Sequence, residues 1–213
     1  MDRTMRATLA TLKLVPVVMI HDYRHAVPLA RALGAGGIGA IEVTLRTAAA
    51  WDAATAIRAE LPDMRLGIGT ITSPAQLERA RKLGAGFAVS PGSTQVLRAA
   101  ARTAGIDYLP GVATVSEIMA TLDDGYETMK FFPAAVAGGI AALKSFAPLF
   151  DQAAFCPTGG ISEANLPDYL ALSNVVAVGG SWLAPEALVE AGDWAAITAL
   201  AARGMALARG GRA

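Results

Sequence analysis

At 213 residues, 54% of them hydrophobic and 17% charged, the chain has enough apolar mass for one large buried core and is too apolar to stay disordered. Its 18 basic side chains balance its 18 acidic ones, and the arginines are scattered, so the positive face of a nucleic-acid binder is missing. A lone cysteine, Cys156, and two histidines, His21 and His25, rule out a disulfide framework and leave no metal-ligand spacing. The N-terminal MDRTMRATLATLK has no continuous apolar core of a signal peptide, and no stretch nears the ~18 apolar residues of a membrane helix. One cytoplasmic domain over 1–213, acting on small molecules without a membrane or nucleic-acid partner, is the expectation.

The chain opens with a helical stretch over 3–12, placed to cover the floor of a barrel. Strands are then expected at 14–20 (LVPVVMI), 40–45 (AIEVTL), 65–70 (RLGIGT), 86–90 (GFAVS), 107–111 (DYLPG), 128–132 (TMKFF), 153–159 (AAFCPTG) and 175–180 (VVAVGG). Helical segments fall between them at 48–61, 74–83, 95–103, 115–122, 140–146 and 163–172, with a closing helix from Asp193 onward. Ser73 before Pro74, Ser162 before Glu163, and Thr114 with Glu117 three residues on have the chemistry of helix N-caps. Eight strands alternating with helices fit a parallel (β/α)8 TIM barrel with an extra N-terminal helix. A doubly wound open sheet differs only by a reversal of strand order, which sequence does not display.

In a parallel barrel the working residues sit at the C-terminal ends of the strands. Two strands carry polar residues that a purely structural strand avoids. In GAIEVTLRT, alternation puts Glu42, Thr44 and Arg46 on one face and Ile41, Val43 and Leu45 on the other. Ionisable groups four apart on a buried strand read either as a structural Glu42–Arg46 ion pair or as a catalytic carboxylate beside an anion-holding arginine. In ETMKFFP, Lys130 lies between Met129 and Phe131, whereas Lys13, Lys82 and Lys144 fall in or beside helices. A lysine at a strand end can snorkel to solvent; one buried among apolar neighbours favours the neutral amine, which attacks carbonyls. Imine formation also needs an acid/base group nearby, and Glu42 is the candidate.

The last third supplies backbone for an anion. PTGGIS and VGGSW each place paired glycines directly after a late strand, where N–H groups can approach a ligand and where barrels of this type hold phosphate; a single such pair also reads as plain strand-end punctuation, and it is the two at corresponding positions, one followed by Ser181, that favour the anion. GIGT with Thr70, and VSPG with Ser90, Pro91 and Gly92, stand at other strand ends; they read as site lining or as ordinary turn chemistry.

With IEVTLRT, GIGT, SPG, KFFPA, FCPTGGIS and GGSW in this order, the chain resembles the 2-dehydro-3-deoxy-phosphogluconate (KDPG) aldolase family, whose members often also act as 4-hydroxy-2-oxoglutarate aldolases. The likeness spans about 14–194. It implies a class I aldolase of the TIM-barrel type, a homotrimer, which splits a keto acid into pyruvate and an aldehyde with neither metal nor organic cofactor. By the same resemblance, Lys130 forms the Schiff base and Glu42 is the general acid/base. Arg46 and Thr70 hold the pyruvyl carboxylate, and Phe132 and Pro91 pack on the substrate. Thr158, Gly159, Gly160, Gly180 and Ser181 take the distal end. The preferred aldehyde stays open among the phosphogluconate, phosphogalactonate and hydroxyoxoglutarate series. Where relatives follow KFFPA with an acidic residue and then asparagine, this chain has Ala135, Val136 and Ala137, a change expected to touch the loop or aldehyde preference and not the imine chemistry. A barrel that uses Glu42 and Lys130 only for proton transfer, and one that binds ligand without turnover, are the rival readings.

Overall fold

The structure, a computed structural model, describes residues 2–210. Helix α1 (Asp2–Leu12) leads into β1 (Leu14–Val18), a 3-10 turn (Tyr23–His25) and α2 (Ala26–Ala35). The chain continues through β2 (Ala40–Thr44), α3 (Ala50–Glu60), β3 (Arg65–Gly69), α4 (Pro74–Leu83), β4 (Phe87–Val89) and α5 (Gln95–Ala104). It then forms β5 (Tyr108–Leu109), β6 (Gly111–Val112), α6 (Val115–Asp123), β7 (Thr128–Phe131), α7 (Gly139–Phe146) and β8 (Ala154–Pro157). Helix α8 (Leu166–Leu170), β9 (Val178–Gly180), α9 (Glu186–Glu190) and α10 (Trp194–Gly210) complete it.

Every strand pairing is parallel, and the strands form a curled six-stranded sheet, β5-β4-β3-β2-β1-β9, and a three-stranded one, β6-β7-β8. Sequential neighbours stand side by side without a reversal, so the doubly wound alternative does not describe this sheet. The expected strand 107–111 is interrupted at Pro110, which has no N–H to give the ladder, although its carbonyl accepts from Lys130 N–H at 2.8 Å. Isolated bridges from Phe155 to Val175 and from Thr158 to Gly179 reach from β8 toward β9.

Period-two alternation sorts the side chains into two apolar layers. Ile41 and Val43 join the larger cluster between strands and helices, while Ala40, Phe87, Val89, Leu109, Ala154 and Cys156 form an inner cluster with Met5 and Leu9 of α1. Helix α1 therefore closes the floor, as its place in the sequence foretold, and the strand C-termini are left open.

Local chemistry explains most element boundaries. Ser73 with Gln76 and Thr114 with Glu117 both form reciprocal capping boxes. The helix expected over 163–172 is a correction: Asn165 Oδ1 accepts the Ser162 N–H at 2.8 Å, so the chain turns there and α8 starts only at Leu166. Helices α2 and α9 are absent from the sequence expectation, and several strands are shorter than expected, β1 ending at Val18, β8 at Pro157 and β9 starting only at Val178.

Candidate active site

The open end of the curled sheet gathers the polar residues. Glu42 enters from β2 and Lys130 from β7; they are 3% and 5% exposed, and Lys130 Nζ donates to Glu42 Oε1 at 3.0 Å and Oε2 at 3.4 Å. The partner of Glu42 is thus Lys130, not Arg46, and Lys130 does not snorkel to solvent. Taking two charges from water is tolerable only because they face each other; removing one partner of such a pair typically costs about 3–5 kcal/mol. Room for the carboxylate comes from Gly69, where a Cβ would run into the Glu42 side chain. Beside Lys130 in register stand Gly111 on one side and Cys156 on the other. Burial pushes the Cys156 thiol up to about 12, which leaves it a packing group and not a nucleophile.

The Lys130 ammonium also lies 5.3 Å from the ring centroid of Phe132, within reach of a cation–π contact. Phe132 in turn walls a cleft of ≈ 460 Å³, lined by Arg46, Thr158, Gly159, Gly160, Gly180 and Ser181 together with Thr44, Ile161, Trp182 and Glu186. That size suits a small metabolite. Among the described residues Arg46 has no ion-pair partner and is the one basic lysine or arginine lining the cleft, so its guanidinium is free to fork onto a carboxylate.

Backbone shapes the far wall. Gly159 and Gly160 have φ of +96° and +76°, a left-handed path that a side chain would strain, and a Cβ on Gly160 would also strike the Ala135 methyl. Ala134 N–H and Ala135 N–H donate to Thr158 O and Gly159 O at 2.8 and 3.0 Å, so the loop after β7 holds the glycine loop after β8. The Phe132–Pro133 peptide is cis. Gly180 packs under the Trp182 ring, leaving no space for a Cβ.

Thr70 and Pro91 are not among the residues that line this cleft. Thr70 follows Gly69 with φ of +60°, an unusual conformation for a β-branched residue and of the kind found where function constrains the backbone. The Pro91 carbonyl abuts Gly111, the neighbour of Lys130. The sequence reading did not single out Trp182, Glu186 or the cleft role of Thr44, whose hydroxyl donates to Val18 O at 2.9 Å. Thr44 shares the strand face of Glu42 and was visible by alternation; Glu186, on a short helix, carries no such signal. Its Oε1 sits 2.8 Å from His21 Nε2 across the rim.

A buried amine against a carboxylate, under a cleft with one free arginine and two paired-glycine loops, can add to a carbonyl, relay protons and hold an anion at each end. A family model described as KDPG and KHG aldolase matches residues 5–200. The 2-dehydro-3-deoxy-phosphogluconate aldolase of Pseudoalteromonas atlantica is 52% identical over 92% of this chain and 91% of its own length. The crystal structure of the KDPG aldolase from Legionella pneumophila, with pyruvate captured at low pH as a covalent carbinolamine, is 46% identical over 92% of this chain and 96% of its own, with a TM-score of 0.91. That of the aldolase of Zymomonas mobilis ZM4 with 3-phosphoglycerate is 41% identical over 97% of both chains, with a TM-score of 0.92.

Proposed function

The chain belongs to the KDPG and KHG aldolase family, and on that premise we propose that it cleaves 2-dehydro-3-deoxy-6-phosphogluconate reversibly to pyruvate and glyceraldehyde 3-phosphate through a Schiff base at Lys130. The observation that carries the assignment of roles is the buried contact of 3.0 Å between Lys130 Nζ and Glu42 Oε1 beneath the cleft. Glu42 accepts the ammonium proton, and the freed amine adds to the C2 carbonyl of the keto acid. Glu42 then returns a proton to the carbinolamine oxygen, and water leaves to give the imine. The protonated imine draws the electrons of the C3–C4 bond as it breaks, while the C4 hydroxyl proton passes to a base. The resulting enamine is protonated at C3 and hydrolysed, releasing pyruvate and restoring Lys130. Because the iminium is the electron sink, the reaction calls for neither metal nor organic cofactor.

Arg46, assisted by Thr70, holds the pyruvyl carboxylate, and Phe132 and Pro91 pack on the carbon chain. Thr158, Gly159, Gly160, Gly180 and Ser181 receive the phosphate through backbone N–H groups and hydroxyls. The pyruvate adduct and the three-carbon phosphate held by the two solved relatives support both ends of this placement. The same relatives, the isolated bridges from β8 toward β9 and the short break at Pro110 support reading the two sheets as one closed eight-stranded barrel over 1–213. The family resemblance further supports a cytoplasmic homotrimer; a native mass of one chain in solution refutes the trimer.

Borohydride reduction in the presence of pyruvate tests the chemistry. The wild-type chain gains one reduced pyruvate at Lys130, and Lys130→Met gains none. Absence of an adduct, or an adduct on another lysine, defeats the proposal in favour of non-covalent proton transfer. Steady-state comparison of the phosphogluconate, phosphogalactonate and hydroxyoxoglutarate substrates then ranks the aldehyde partners, and loss of phosphate carries the larger penalty.

A further inference from the structure

One polar contact at the mouth of the cleft has no part in the aldol chemistry. His21 follows β1 and Glu186 follows β9, strands that pair with Pro16 opposite Gly180, so the two side chains come from adjoining rim loops. Nε2 of His21 lies 2.8 Å from Oε1 of Glu186, and the side chains are 53% and 52% exposed. The other titratable groups of the His21 loop are engaged elsewhere: Asp22 pairs with Arg24, and the His25 ring packs edge-on against Trp194.

Glu186 lines the same cleft as Gly160, Gly180 and Ser181, and it is the one acidic side chain among the lining residues. A carboxylate in the same cleft as backbone amides proposed to receive an anion works against them. Its field opposes a phosphoryl dianion and leaves an uncharged hydroxyl end almost unaffected, and the imidazole N–H beside it takes up part of that field. We propose that Glu186, held by His21, is the specificity-determining residue of the distal subsite, setting how strongly a phosphorylated substrate is preferred over its unphosphorylated counterpart. The pair moderates the preference that the glycine loops create and so widens the range of distal groups the cleft admits. This inference rests on the aldolase function proposed for the chain and adds the charge selectivity of its distal end.

The test compares cleavage of 2-dehydro-3-deoxy-6-phosphogluconate with that of 2-dehydro-3-deoxygluconate, which differs only by the phosphate. The readout is the ratio of their kcat/KM values. For two charges sharing a cleft open to solvent, Glu186→Gln raises that ratio by about three- to tenfold at low salt, and the gain shrinks at 1 M salt. His21→Gln moves the ratio down, because the remaining carboxylate loses the imidazole N–H that takes up part of its charge. A ratio raised less than threefold by Glu186→Gln, or a gain indifferent to salt, overturns the proposal; a ratio unmoved or raised by His21→Gln overturns the part given to the imidazole. Pyruvate trapping at Lys130 separates the two levels. If the wild-type chain traps no pyruvate, the aldolase reading falls and this inference with it; if trapping succeeds and the ratio fails to move, only the inference falls.

Discussion

Adding one methyl group at Gly69 should disable the proton relay without touching either of its members. A Cβ on this residue would stand 2.7 Å from Glu42 Cγ and 2.8 Å from Cδ, whereas comfortable carbon contacts lie at about 3.5–4.0 Å. The backbone of Gly69 needs no left-handed φ, so Gly69→Ala adds only this collision. To relieve it the Glu42 arm must withdraw by about 0.8–1 Å, which stretches its 3.0 Å bond to Lys130 out of hydrogen-bond range. Overpacking of this kind costs about 1–3 kcal/mol, a fall in Tm of roughly 2–12 °C for a chain of this size. A misplacement of ~1 Å is worth about 10²-fold in rate, within the range of general acid–base catalysis. The expected outcome is a folded variant, by circular dichroism, whose kcat for pyruvate release falls by about two orders of magnitude and whose borohydride trapping slows in parallel. Gly67→Ala is the control, since its Cβ would meet the Phe87 ring instead; it should lose stability with a smaller loss of kcat. A folded Gly69→Ala protein with kcat within threefold of wild type would refute the argument that the position of Glu42 governs the relay.

Thr70 and Cys156 provide two further tests. Thr70 holds φ of +60°, which costs a β-branched residue about 1–2 kcal/mol, so Thr70→Gly should match or exceed wild-type stability by up to ~1 kcal/mol after the entropy of glycine is counted. The same variant should raise KM for pyruvate in the condensation direction, and a clear loss of Tm with unchanged KM would show that the residue packs and does not bind. Burial holds Cys156 as a thiol up to about pH 12, so at pH 8 an aromatic disulfide reagent should label it only after denaturation; stoichiometric labelling of the native protein within minutes would contradict its place in the inner cluster.

What was legible in the sequence was whatever depends on neighbours along the chain. Alternation in GAIEVTLRT assigns Glu42 and Thr44 to one face, and the structure keeps them there, buried and facing inward. Lys130 stands out because a lone lysine in an apolar strand has few structural explanations. Capping chemistry places the starts of α4 and α6 for the same local reason. What depends on strand order was legible only as one of two readings. The four-residue spacing leaves a Glu42–Arg46 ion pair open beside a catalytic Glu42 next to Lys130, and it is strand order and register that bring Lys130, 88 positions away, onto the carboxylate. Glu186 and His21 meet only because β9 lies against β1.

The glycines of GIGT show the difference in physical terms. As sequence they read as punctuation at a strand end, a matter of turns and φ. In the folded chain neither residue is there for a turn: both lie inside β3 on its inward face, and what counts is the missing volume. Gly67 makes room for the Phe87 ring, which fills the interior below, and Gly69 makes room for the Glu42 carboxylate above it. With glycine at both of these positions, β3 allows a large apolar group and a buried acid to be stacked on one inward face of the curled sheet. Close packing leaves few voids in such an interior, so the acid has little freedom to leave its lysine. The geometry of the ion pair is in this sense set by what β3 lacks, and a single added methyl at position 69 is the sharpest probe of it.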